Sequence, residues 1–368
     1  MAIIDILIVE NDPNDIQSYE DTIRTLNMDF DGEHIINPVI KKNEKEGLKA
    51  LEENEWSAAF IDLKLSTEDI LSAEEGNNIV KQIYSKRRFP VYIITNTPGD
   101  VSPDFIQSDF LRIKTKDGID YNEVFNDIIK IQETGILKII GKQGQIEKYL
   151  DKIFWENLST SIDLWSKDIS RNSEQKEKSL LRYTILHMLE YLDEENYHPS
   201  EFYITKPIKE NIFTGDIIEY LGTRYIVLTP SCDIVIRHDG NRNTRRILFC
   251  KIKDLSSEVK NYSSLNSTTG KSNDNRKRLN KYIQNNSSGN FHFIPKHNDI
   301  NAGLIDFQDK TTVGVRAVER KLKKGECKRI ATVSMPFLKD IISRYSNYYG
   351  RQGSPDFNSD EVFNSIFK

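Results

Sequence analysis

The chain is poor in cysteine, with three in 368 residues, Cys232, Cys250 and Cys327, and no CxxC pair. An odd count at such spacing excludes a disulfide framework and argues for a reducing compartment. It also matches no usual zinc-ligand pattern. Long apolar runs are missing as well. No stretch approaches the roughly 20 residues of a membrane span, and the N-terminus has no basic region leading into an apolar stretch and a cleavage site. The expectation is a cytoplasmic protein without a membrane partner. Helix-turn-helix and zinc-finger signatures are absent. Aromatics beside the basic clusters are few (Tyr262 and Tyr282), which argues against a base-stacking platform for single strands.

What is present is a division of charge. Residues 1–205 carry 23 Lys/Arg against 39 Asp/Glu, and residues 206–330 carry 24 against 13. The basic groups include Arg237, Arg242, Arg245, Arg246, Lys251 and Lys253, then Lys271, Arg276, Lys277, Arg278 and Lys281. Several phosphates neutralised by such groups would bind nucleic acid non-specifically. An acidic front half docking on a basic later half accounts for the same asymmetry. Arg242, Arg245 and Arg246 are the candidates for either contact.

The front of the chain alternates strand with helix. IIDILIV (3–9), IINPVIK (35–41), SAAFID (57–62), FPVYIIT (89–95) and DFLRIK (109–114) read as strands. Pro38 puts the second at or near an edge. Helices are expected over 15–26, 44–54, 74–86 and 121–133. This pattern predicts an α/β doubly wound parallel sheet, whose ligands gather at the carboxyl ends of the strands. Those ends carry Glu10, Asn11, Asp12, Asp62, Thr95 and Lys114 or Lys116. A carboxylate such as Asp62, closing the apolar run AAFIDLKL, is costly there unless something pairs with it.

ILIVEND (6–12), FIDLKL (60–65), FPVYIIT (89–95) and FLRIKTK (110–116) together resemble the receiver domain of bacterial two-component response regulators, a flavodoxin-like fold, over residues 1–133. The resemblance implies that Asp62 is the phospho-acceptor, that Glu10 and Asp62 belong to a Mg²⁺ site, and that Thr95 is the switch hydroxyl. Receivers usually have two adjacent acids after the first strand; here Asn11 takes the second place. A neutral amide is a weaker ligand, so the expected Mg²⁺ site is weakened and Asp12 is the candidate to complete it. Lys114 and Lys116 both lie near the expected lysine, Lys116 being favoured because it would sit just beyond the strand.

Residues 134–200 read as a helical hairpin and linker. IEKYLDKIFWENL (146–158) and EKSLLRYTILHMLEYLDEE (177–195) carry apolar stripes broader than one hairpin can bury, so 146–195 should pack on another domain or form a symmetric homodimer. His187 on the second stripe is either an interface residue or a phosphotransfer histidine. Residues 201–368 read as a β-rich, barrel-like output domain with a polar insertion at about 255–290 and a C-terminal helix. Strands are expected at DIVIR (233–237) and TVGVRAV (312–318), among others. GDIIEYLGTRYIVLTPSCD (215–233) is similar to the opening of PemK-type SH3-like barrels. The full layout resembles response-receiver proteins of bacterial conflict and phage-defence systems, which implies a histidine-kinase-like ATPase as partner.

These readings converge on a signal-responsive regulator with Asp62 controlling a C-terminal interaction module. Two alternatives stand beside it. One is a hydrolytic effector using Cys232 and Asp233, with His238, His292 or His297 as base. The other is a nucleic-acid-binding output.

Overall fold

Period-two alternation in the apolar runs sorts their side chains to two opposite faces, so each strand must be covered on both sides. The computed structural model shows this arrangement, and describes residues 2–29, 34–65, 73–141, 144–192, 197–259, 262, 272–351 and 356–367. The chain divides into two compact units, Met1–Asp193 and Glu194–Lys368.

In the first unit, β1 (Ala2–Val9), α1 (Pro13–Asp29), β2 (His34–Lys41), α2 (Glu44–Glu53), β3 (Ala58–Ile61), α3 (Glu74–Lys86), β4 (Val91–Thr95), β5 (Leu111–Thr115) and α4 (Tyr121–Glu133) follow in order. The strands form one sheet in the order β2-β1-β3-β4-β5, parallel at every pairing. This is the flavodoxin-like order of a doubly wound sheet. Leu7, Val9, Ala59, Ile61, Val91 and Ile93 face α2 and α3. Ile6, Ile8, Ala58, Phe60, Tyr92 and Ile94 face α1 and α4. Pro38 lies in β2, the edge strand, where a missing N–H donor is tolerated.

Helices α5 (Ile136–Ile140), α6 (Gln145–Ile153), a π-helical turn (Phe154–Leu158) and α7 (Ser159–Ser166) lead into α8 (Ser173–Glu190). The polar stretch SKDISRNSEQ (166–175) between the two apolar stripes is a shorter spacer than its composition suggests. Asn172 and Gln175 make a capping box that starts α8 within it.

The second unit holds β6 (Tyr203–Ile204), β7 (Asp216–Tyr220), β8 (Thr223–Val227), α9 (Ser231–Ile234), β9 (Arg246–Asp254), α10 (Leu255–Glu258), α11 (Ser272–Ile283), β10 (Phe291–Ile294), β11 (Gly303–Gly314), α12 (Val315–Lys323), β12 (Cys327–Val333), α13 (Met335–Gly350) and α14 (Ser359–Ile366). Its β texture forms a seven-stranded antiparallel sheet, β10-β11-β9-β8-β7-β12-β6. Leu338 and Ile341 of α13 pack on one face and Val315 and Val318 of α12 on the other.

Two expected strands differ. Residues 231–234 form the short helix α9 after Pro230, and residues 315–323 are helical. In both, β-branched residues fill helix positions because tertiary burial of Ile234, Val315 and Val318 outweighs their β propensity. Within the expected insertion, 260–261 and 263–271, including Lys271, lie outside the described residues. No described helix is long and apolar enough to cross a membrane.

Candidate functional site

Parallel strands of matched length deliver their following residues to one edge of the sheet. Glu10 follows β1, Asp62 follows β3, Thr95 ends β4 and Lys116 follows β5. Backbone bonds hold the edge together: Asp62 N donates to Val9 O (3.0 Å) and Lys116 N to Thr95 O (3.3 Å). The Lys116 ammonium then reaches across the sheet and donates to Glu10 Oε2 at 2.7 Å, Asp15 Oδ2 at 2.7 Å and Asp62 Oδ2 at 3.0 Å. Asp62 is thus paired, which answers the cost of burying it.

The remaining oxygens are also engaged. Glu10 Oε1 accepts from the amides of Asn11 (2.9 Å) and Asp12 (3.0 Å), and Asp62 Oδ1 accepts from Leu63 N (2.7 Å). Glu10 is 1% exposed and Asp62 7%. Burial pushes the Glu10 carboxyl above the usual carboxylate range, outweighing its bonds to Lys116 and the Asp12 amide, and the Asp62 charge adds to the rise. For Lys116 burial acts downward. Its hydrogen bonds to Asp15 and Glu10, and the charges of Glu10 and Asp62, outweigh this and hold the ammonium well above the ordinary lysine range.

The other expected members stand apart. Asp12 Oδ1 accepts from Asn14 N, closing an exposed turn at the start of α1. Asn11 Nδ2 donates to Leu65 O (3.0 Å). Thr95 is buried, and its hydroxyl accepts from Thr97 N (3.2 Å), within its own loop. Lys114 lies within β5, and Lys116 is the lysine that enters the acid cluster. Asp15 was not foreseen as a member. Its position in the first turn of α1 was legible as a favourable acid at a helix N-terminus, but not as a partner of Lys116.

A receiver-type Mg²⁺ would need free oxygens around a common centre. Here the centre that Glu10, Asp15 and Asp62 surround is Lys116 Nζ itself, and each oxygen of Glu10 and Asp62 already accepts a hydrogen bond. Among the described residues no three His, Cys, Asp or Glu side chains group to hold a metal ion. The set as arranged does not fit a divalent ion.

In the second unit Cys232 is exposed, and the side chain paired with it is Asp233, with Sγ 4.0 Å from Oδ1. His292 pairs with Asp340 (3.1 Å) and His297 stacks on Tyr203, and among the described residues neither is hydrogen-bonded to Cys232. His238 is exposed, with no hydrogen bond to Cys232. Cys250 and Cys327 are buried, and burial pushes the Cys250 thiol up to about 12. His187 sits in the seam of the helical hairpin, its Nδ1 2.8 Å from Tyr183 O.

The three arginines are not equivalent. Arg242 is mostly buried, bonded to Ile234 O (2.7 Å) and to Glu319. Arg246 is bonded to Thr312 and Arg245 is exposed. Arg242→Glu is therefore expected to destabilise the second unit by about 1–3 kcal/mol, leaving Glu319 facing a like charge. Arg245→Glu should stay within about 0.5 kcal/mol. Thermal melting followed by far-ultraviolet circular dichroism checks both.

No protein-family model and no curated protein matches the sequence. Among solved structures, the chain is similar to the receiver domain of a sensor histidine kinase from Pseudomonas aeruginosa PAO1, which has a magnesium ion in its active site cleft (15% identity, 35% of this chain and 97% of that one, TM-score 0.25). It is also similar to a CheY-like receiver domain protein from Methanospirillum hungatei (15%, 36% and 96%, 0.26). A third is a response regulator from Thermotoga maritima in complex with Mg²⁺–BeF (17%, 35% and 98%, 0.25). By its own strand order the first unit is a flavodoxin-like doubly wound sheet, and it is followed by helices and a distinct antiparallel β-sheet unit.

Proposed function

We propose that residues 1–133 are a receiver-type regulatory module in which Asp62 is the modified carboxylate, controlling the C-terminal β-rich unit as an interaction module. The observation that carries this is the ammonium of Lys116 held at once by Glu10, Asp15 and Asp62 at the carboxyl edge of a parallel sheet. A cation fixed beside a strand-end carboxylate can offset the charge of a phosphoryl group arriving there. An Asp62 oxygen would attack the phosphorus of a phosphohistidine or acyl phosphate. The new P–O bond forms as the donor's P–N or P–O bond breaks, and the donor leaves with that electron pair. Added negative charge on Asp62 would draw Lys116 from Glu10 and Asp15, changing the start of α1. The donor fitting this chemistry is a histidine-kinase-like ATPase.

The test is incubation with acetyl phosphate, with and without Mg²⁺, followed by intact mass spectrometry. Wild type should gain one phosphoryl group and Asp62→Asn none. Divalent-ion dependence is read in the same experiment. A wild type unmodified in every condition would reduce the unit to a docking module.

A further inference from the structure

Helix α8 is apolar on more than one side. Leu180, Tyr183, Thr184 and His187 are half-buried on the side turned to the α6–α7 arm, where Trp165 meets Tyr183 and Tyr149 stacks on Tyr191. Beyond that seam, Leu181, Ile185, Leu189 and Leu192 recur at helical spacing, flanked by Leu186, and these five are between 49% and 61% exposed. Within residues 145–192 Ile153 is the one buried apolar side chain among those described. A helix apolar on most of its circumference is normally buried, and a two-helix layer without its own core needs a second layer.

We infer that this layer is a second copy of the chain, packed as a symmetric four-helix bundle with α8 against α8. Two observations favour a copy over an unrelated partner. Half-exposed side chains of this size offer on the order of 100 Å² each. Leu181, Ile185, Leu186 and Leu189 of α8 and Leu192 just past its end, with Phe154, Trp155 and Ile162 of the neighbouring arm, therefore reach roughly the 800 Å² that a standard interface takes from each partner. The second is charge. Exposed Arg182 and Glu190 lie equally far from Leu186 in opposite directions. An antiparallel pairing about a two-fold axis near Leu186 sets Arg182 of one copy opposite Glu190 of the other, twice, as an isologous interface requires. The surface is complementary to itself.

Sedimentation equilibrium on the full chain tests this. Wild type should be a dimer at micromolar concentration. Leu186→Glu with Leu189→Glu should raise the dissociation constant at least about a thousandfold, since four apolar contacts become charged across the axis. Because that variant could simply unfold, the charge pair provides a second arm. Arg182→Glu should weaken the dimer about tenfold or more, and adding Glu190→Arg should restore it. A wild type that stays monomeric at high micromolar concentration would overturn the proposal. A dimer indifferent to both sets would do so too, by placing the interface elsewhere.

Discussion

Lys116→Met is expected to lower the stability of the first unit by about 3–5 kcal/mol at neutral pH, the cost of removing one partner from a buried charged cluster. Glu10 is fully buried and Asp62 nearly so, and both would then face each other and Asp15 without a cation. All three tryptophans, Trp56, Trp155 and Trp165, lie in this unit, so denaturant unfolding followed by tryptophan fluorescence reports on it alone. The loss should shrink on acidification. Glu10 is already held above its ordinary carboxylate value in the native state, and removing the ammonium raises it further. A raised native value means that the folded form binds more protons than the unfolded one, so stability is present below the ordinary value near 4.5 and lost as pH rises through the native one. The variant should therefore approach wild type as pH falls toward that range. Equal losses at acidic and neutral pH would show that Lys116 acts by packing and not by charge. In wild type the sign for Lys116 is the same: its raised value stabilises below the ordinary lysine range near 10.5 and fades above it.

Gly76→Ala should be as damaging, for a steric reason. A Cβ at Gly76 would stand 2.3 Å from the Asp62 carbonyl oxygen and 2.4 Å from Leu63 Cα, both backbone atoms that no rotamer can move. Gly76 N also donates to Leu63 O (3.2 Å), so α3 is set directly against the segment that carries Asp62. Relief requires α3 to withdraw or Asp62 to shift from Lys116. About 3 kcal/mol or more should be lost, together with the acyl phosphate response. Gly99→Ala is the control. Its Cβ would meet nothing within 4 Å, and the change should be neutral or slightly stabilising. A mild Gly76→Ala variant that kept its Asp62 chemistry would show that the close approach of α3 is not needed.

The sheet was legible because its strands are short apolar runs that stop at polar residues. The same stops place Glu10, Asp62, Thr95 and either Lys114 or Lys116 at one edge of the sheet. What stayed hidden depends on side-chain direction. Sequence spacing cannot say which first-turn acid of α1 turns inward, so Asp15 was missed while Asp12, spent on its own turn, was proposed. The engagement of Thr95 with its own loop is a rotamer choice set by local backbone. In the second unit, local β propensity misled at Ile234 and at Val315–Val318, where packing on the sheet favours helix. The arginine run read as one basic surface, yet Arg242 is committed to Glu319 within the fold.

The most direct measurement traps the modified side chain. Protein treated with acetyl phosphate is reduced with borohydride, which converts an acyl phosphate to an alcohol and marks its position permanently. Peptide mass mapping then reads the site. The account predicts a single mark at position 62, present in wild type and absent in Asp62→Asn. A mark on Glu10, Asp12 or Asp15, or none at all from protein that gained phosphoryl mass, would contradict it.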